Sequence, residues 1–392
     1  MKTWGDLSAQ TWAEAFPARW RVAVLGAGPR ATGIASVWQE RRDCEVIGLC
    51  DPVKETVEPQ AKKLGVRAFT DPVALLAEHA HVVINATRSP LHYPLTLLAL
   101  EAAQAAVLVE KPLADTPAHA WRLVDLAHAH ILPLIVSHQT SCTPPVTKAL
   151  AMLRSGEIGD LLAVSITGKG YYGGYELFNM TPHYLNVAML FTGDVTRVRD
   201  VTGRELTRVP QPAYAPYGFG VTVWPNLEIE METVTGTPVR LHLQQRDPPS
   251  AGHMAVDIHG SKKVLRLYWK WWLHQRPQVD GPNDHPWQPV EIPKEDRTLH
   301  GIDFTHRQAG DDWLAEMMVQ QLRGELLEHP ASARRAAVGV SAMHAAIASN
   351  GEWQEAGPKT ASVRWGGELD PRLSILRYNE WAARANWLGG EP

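Results

Sequence analysis

Gly26-Ala27-Gly28-Pro29-Arg30-Ala31 follows a short apolar run and opens an amphipathic stretch, the context in which a GxGxxG/A motif holds a dinucleotide. In that motif Gly26 permits a tight turn, Gly28 lets a pyrophosphate come close to the backbone, and the small Ala31 allows close helix–strand packing. The start of a helix adds free N–H groups and the positive end of its dipole, and Arg30, next to Pro29, adds a cation. Asp51 ends the second apolar run about 20 residues on, where a carboxylate accepts hydrogen bonds from a ribose diol and repels a 2′-phosphate. The expected cofactor is therefore NAD, with NADP the weaker alternative that Lys54 keeps open.

Lys111 stands at the carboxyl end of another apolar run, Ala106 to Val109. Strand ends of this kind face the ligand crevice in an open α/β sheet. A partly desolvated lysine accepts or relays a proton, and a charged one orients an alcohol. The plainer alternative is a lysine paired with its neighbour Glu110.

The elements that must position these groups follow from the pattern of apolar residues. Short apolar runs at 21–25, 45–50, 81–86, 106–109 and 133–136 read as strands, and amphipathic stretches at 30–41, 54–64, 73–78, 91–103 and 118–130 as helices. Strands separated by crossover helices are parallel. The fold class is thus α/β, a Rossmann doubly wound sheet over 21–138 after an N-terminal extension, 1–20. After Thr143-Pro144-Pro145 a helix to Ser155 precedes alternating segments at 161–167, 227–235, 239–245 and 255–259. These are expected to form an α+β domain, 139–365, with a large, open, mainly antiparallel sheet. Helices are expected at 310–328 and 331–349 after a proline-rich loop at 276–293, and 366–392, with Trp381 and Trp387, reads as a docking tail.

Composition narrows the class of partner. With 38 Lys and Arg against 42 Asp and Glu, the net charge of −4 suits neither a phosphate-backbone binder nor a polybasic membrane anchor. No apolar run reaches membrane-spanning length, and the first 20 residues lack a signal-peptide core. Three cysteines, Cys44, Cys50 and Cys142, make no CxxC pair, which fits a reducing cytoplasm. His79, His81, His119, His128 and His130 offer no metal-ligand spacing, so no metal site is expected. Tyr268-Trp269-Lys270-Trp271-Trp272 reads as core or subunit interface rather than a sugar platform, and Arg334-Arg335 as a basic spot without base-reading spacing.

Glu110-Lys111-Pro112 gives the chain its resemblance to the GFO/IDH/MocA oxidoreductases, relatives of glucose-fructose oxidoreductase and inositol dehydrogenase. Val82 to His92 resembles that family's fourth strand and the loop after it, with Arg88 where proline is common, and Gly156-Glu157-Ile158-Gly159 resembles its turn into the sheet domain. Gly173 to Asn186 is similar to the family's Asp-x-Gly-x-His-x-x-Asp segment. His183 is retained, while Asn179 and Asn186 replace the carboxylates and Thr181 the glycine.

The resemblance implies cofactor contacts from Thr87, Arg88, His92, Glu110 and Lys111, and a small polyhydroxylated substrate between the domains. Lys111 and His183 would share the hydroxyl proton, with Asn179 fixing the imidazole, since an amide sets orientation and tautomer without stabilising an imidazolium. Tyr171, Tyr172 and Tyr175 offer hydroxyls and a ring face to a polyol, or serve an interface. The implied activity is NAD(P)-dependent dehydrogenation at the CH–OH group of a sugar, sugar derivative or cyclitol, in a homo-oligomer (dimer or tetramer). Two alternatives stay open: redox-neutral glycoside cleavage or elimination through transient sugar oxidation, and a non-catalytic NAD sensor.

Overall fold

The computed structural model describes residues 17, 19–168, 181–201, 226–244, 255–268, 272–278, 285–299, 302–303 and 310–362. The chain begins with β1 (Trp20–Leu25), α1 (Pro29–Glu40), β2 (Cys44–Cys50), α2 (Lys54–Leu64), β3 (Arg67–Phe69), α3 (Pro72–Leu76), β4 (Val82–Asn85), α4 (His92–Leu98), β5 (Ala106–Val109), α5 (Pro117–Ala129) and β6 (Leu134–Val136). These strands form a parallel six-stranded sheet in the order β3-β2-β1-β4-β5-β6, the doubly wound arrangement. Runs of β-branched and apolar residues make its centre: β4 and β5 are buried along their whole length. Each fully buried Val or Ile stabilises by about 1.5–3 kcal/mol.

Local signals set the helix ends. Pro29 is at the first position of α1, where its missing N–H costs nothing. Gly65, at φ 71°, closes α2 by donating back to Ala61 and Lys62. The Asp71 side chain caps α3 by accepting from the Val73 N–H.

The chain continues with α6 (Pro144–Arg154), β7 (Leu161–Thr167), α7 (Thr181–Thr192), β8 (Val195–Asp200), β9 (Asn226–Thr233), β10 (Val239–Gln244), β11 (Ala255–Gly260), β12 (Lys263–Tyr268), β13 (Trp272–Pro277) and β14 (Gln288–Pro289). After these come β15 (Thr298–Leu299), β16 (Ile302–Asp303), α8 (Gly310–Leu322), α9 (Ala333–Ala348) and β17 (Gln354–Glu355). A nine-stranded sheet runs β14-β13-β12-β11-β7-β10-β9-β8-β17. The expected antiparallel order holds except between β7 and β10, which pair in parallel. Alternation gives this sheet two unlike faces: in β9, Leu227, Ile229 and Met231 are buried while Glu228, Glu230 and Glu232 project from the other side. Tyr268 and Trp272 pair across β12 and β13, so the aromatic run divides between two strands, with 269–271 outside the described residues.

Two compact units result. One contains residues 1–113, 120–143 and 294–336, the other 114–119, 144–293 and 337–392. A single cut after residue 138 does not describe this division, because α8 returns to the first unit. Its Leu314, Ala315, Met318, Val319 and Leu322 share a buried cluster with Ile34 and Trp38 of α1. Most of the N-terminal extension and the whole of the tail at 366–392 lie outside the described residues.

Candidate functional site

The turn after β1 is fixed by three constraints. Gly26 has φ 105°, and a Cβ there would stand 2.7 Å from the Ala86 carbonyl oxygen, so both backbone angle and space demand glycine. Ala31 is fully buried beside it, as close helix–strand packing requires. Asp51 spans the turn from the end of β2: Oδ2 accepts the Ala27 N–H at 3.3 Å and Oδ1 the Val53 N–H at 3.0 Å. A carboxylate has about four acceptor positions, so capacity for a diol is left over.

Gly28, the N-cap of α1, is different in kind. A Cβ built on it meets nothing within 4 Å and its φ is an ordinary −72°. The protein itself therefore does not require glycine here; the bare backbone at a helix N-terminus suits an approaching pyrophosphate. Pro29 next to it contributes helix-compatible φ and no donor. The turn, the bare helix end and the carboxylate fit an adenine dinucleotide.

The loop after β4 is held from below by Asn85, whose side chain donates to the His92 carbonyl and the Thr96 hydroxyl and accepts from the Thr87 hydroxyl at 2.7 Å. His92 is buried, with Nδ1 2.6 Å from the Pro112 carbonyl oxygen and Nε2 3.1 Å from that of Thr87. A neutral ring has one N–H and donates to one of these two carbonyls, linking the β4 loop with the turn after β5, and burial pulls its pKa below the usual histidine value. The side chain thereby helps to shape the two loops. Arg88 is exposed on the same loop.

At the end of β5, Glu110 is almost fully buried and Lys111 half-buried, followed by a cis peptide to Pro112. Glu110 Oε1 accepts from Arg30 Nε at 2.5 Å, and Oε2 from the Lys111 backbone N–H at 3.2 Å. Burial works to raise the Glu110 pKa, but Arg30 and Lys111 outweigh it and hold the carboxylate ionised. Arg30 also makes a two-pronged pair with Asp311 at 2.7 and 2.8 Å and donates to Ser137 Oγ at 2.8 Å. Burial opposes its charge as well, and the two carboxylates more than compensate. The cation expected to face phosphates is thus committed to protein carboxylates. Asp311 and Ser137 were invisible to motif reading because nothing local marks them as partners of Arg30.

In the second unit, His183 and Asn186 lie one turn apart on α7, a helix buried on every side, and both are nearly inaccessible. Gly156 and Gly159 take positive φ in the turn before β7, as their motif suggests. Tyr171, Tyr172, Tyr175 and Asn179 lie outside the described residues.

Residues 20–138 match the GFO_IDH_MocA family model, described as "Oxidoreductase family, NAD-binding Rossmann fold". No curated protein matches the chain. Among solved structures, a levoglucosan dehydrogenase in complex with NADH and levoglucosan is similar at TM-score 0.71 and 16% identity, covering 86% of this chain and 99% of that one. An oxidoreductase from Agrobacterium radiobacter in complex with NAD+, L-tartaric acid and magnesium gives 0.67 and 17%, covering 86% and 98%. The UDP-N-acetylglucosamine 3-dehydrogenase of Acidithiobacillus ferrooxidans gives 0.63 and 17%, covering 84% and 98%. At these identities the likeness is one of fold, and it extends through both units. Fold, glycine turn and family match agree: residues 20–138 form an NAD-binding Rossmann fold matching the model of the GFO/IDH/MocA oxidoreductases.

Proposed function

We propose that the protein is an NAD(H)-dependent dehydrogenase acting on a carbinol carbon of a sugar, sugar derivative or cyclitol. The observation that carries this reading is the placement of Lys111 at the end of β5, in the same parallel sheet whose β1 and β2 ends present the glycine turn and Asp51. Bound NAD supplies the hydride acceptor at its nicotinamide. Lys111 orients the substrate hydroxyl and stabilises developing negative charge on its oxygen, while His183 takes the hydroxyl proton. Asn179 fixes the imidazole. Tyr171, Tyr172 and Tyr175 contact the polyol, and Asp51 favours NAD over NADP. The working form is a homo-oligomer in the cytoplasm.

The dehydrogenases among the similar structures, whose titles name levoglucosan and UDP-N-acetylglucosamine, support a carbohydrate as substrate. The test is absorbance near 340 nm while NAD and a panel of sugars, cyclitols and glycosides are added, with products followed by mass spectrometry. Growth of the NADH band with a ketone product is expected. Cleavage without net NADH would replace this reading with the redox-neutral lyase or glycosidase. NADH binding without turnover would replace it with the sensor.

A further inference from the structure

We propose that Arg30 is a positioning residue for Lys111, acting through Glu110, rather than a cation for the dinucleotide phosphates; this rests on the dehydrogenase reading. Arg30 is the second residue of α1, directly after the glycine turn, where a free guanidinium would be in reach of a phosphate. Its four hydrogen bonds go elsewhere: one to Glu110, two to Asp311 and one to Ser137. A guanidinium has only five N–H donors, and this geometry uses its planar fork in a way that lysine cannot reproduce.

Both carboxylates that Arg30 binds are almost out of solvent, at 11% and 5% side-chain exposure, so neither is left charged without it at low cost. Glu110 then passes the constraint on. One carboxylate oxygen is fixed by Arg30; the other accepts the backbone N–H of Lys111, the residue whose side chain performs the proposed chemistry. The helix that opens on the glycine turn thereby dictates where β5 delivers its lysine. Charge adds to this: the Glu110 carboxylate that Arg30 holds also interacts electrostatically with Lys111.

The test compares Arg30→Lys, Arg30→Met and the double variant Arg30→Met/Asp311→Asn in the full chain; the double variant removes one stranded carboxylate and so guards against simple misfolding. Two readouts need no substrate: NADH affinity by fluorescence titration, and hydrogen exchange of the Lys111 amide set against that of Leu108 in β5. NADH affinity is expected to stay within about threefold of the parent. Exchange at Lys111 should accelerate about tenfold in the methionine variants while Leu108 keeps its protection, with Arg30→Lys in between. With a substrate in hand, kcat should fall about tenfold or more at unchanged KM for NAD. A tenfold loss of NADH affinity with Lys111 exchange unchanged would make Arg30 a phosphate cation and overturn the proposal, as would no change in either. Failure of the dehydrogenase reading is seen separately, in a parent protein that binds NADH and oxidises nothing.

Discussion

Arg30 and Asp311 are 281 positions apart, yet their side chains meet through two hydrogen bonds of 2.7 and 2.8 Å. The pair joins the helix of the glycine turn to a helix supplied far later in the chain, and with Glu110 it completes an ion cluster that reaches the Lys111 backbone N–H. Motif and architecture are tied together there, and the predictions below separate what each contributes.

The two glycines of the turn should respond differently to the same change. Gly26→Ala forces a methyl against the Ala86 carbonyl at an unfavourable φ, and should cost about 2 kcal/mol or more in denaturant unfolding. Gly28→Ala meets open space, so stability should hold within about 0.5 kcal/mol. NADH affinity should nonetheless drop in Gly28→Ala, because a methyl there intrudes on the bare backbone proposed to meet the pyrophosphate.

Asp51→Ala removes both the proposed ribose acceptor and the brace on the Ala27 N–H. Titration with NADH and NADPH should show the preference for NADH reduced about tenfold, equivalent to about 1.4 kcal/mol. An unchanged ratio would remove Asp51 from cofactor selection.

Lys111→Ala should lower turnover by about 10³-fold, the scale of a lost acid–base or orienting group, with NADH affinity nearly retained. Single-turnover absorbance at 340 nm separates the two quantities. A variant that kept its rate would take Lys111 out of the mechanism.

His329 predicts a pH dependence of stability. It is fully buried, Nδ1 accepts the Ala331 N–H at 3.0 Å, and burial pushes its pKa down to about 4. Below the ordinary value of 6.5 the unfolded chain takes up a proton that the folded chain refuses, so stability falls with pH between about 6.5 and 4. The full loss is about 3 kcal/mol. Urea unfolding at pH 7 and pH 4.5 should show this slope, and His329→Gln should flatten it.

Much of the first unit was legible because its strands are unbroken apolar runs and its helices amphipathic: β5 and α2 both match their expected bounds. β3 escaped notice because three partly exposed residues carry no periodicity, and β8 because Arg197, Arg199 and Asp200 mask its alternation. At the site, the glycine turn, Asp51 and the strand-end lysine were readable because they depend on neighbours in sequence. The roles of Arg30 and His92 were not. Arg30 depends on Asp311 and Ser137, and His92 on the carbonyls of Thr87 and Pro112, partners fixed by the fold alone.

The return of α8 to the first unit also bears on the order in which the protein is made. A ribosome that has released residues 20–143 has delivered every strand of the parallel sheet, but not the helix that covers Ile34 and Trp38 or the carboxylate that shares Arg30. The nascent dinucleotide unit must wait, with that apolar face uncovered, while residues 144–293 of the second unit emerge. A gene fragment ending near residue 143 should therefore yield a sticky, chaperone-dependent product, and one that supplies α8 in trans should recover it.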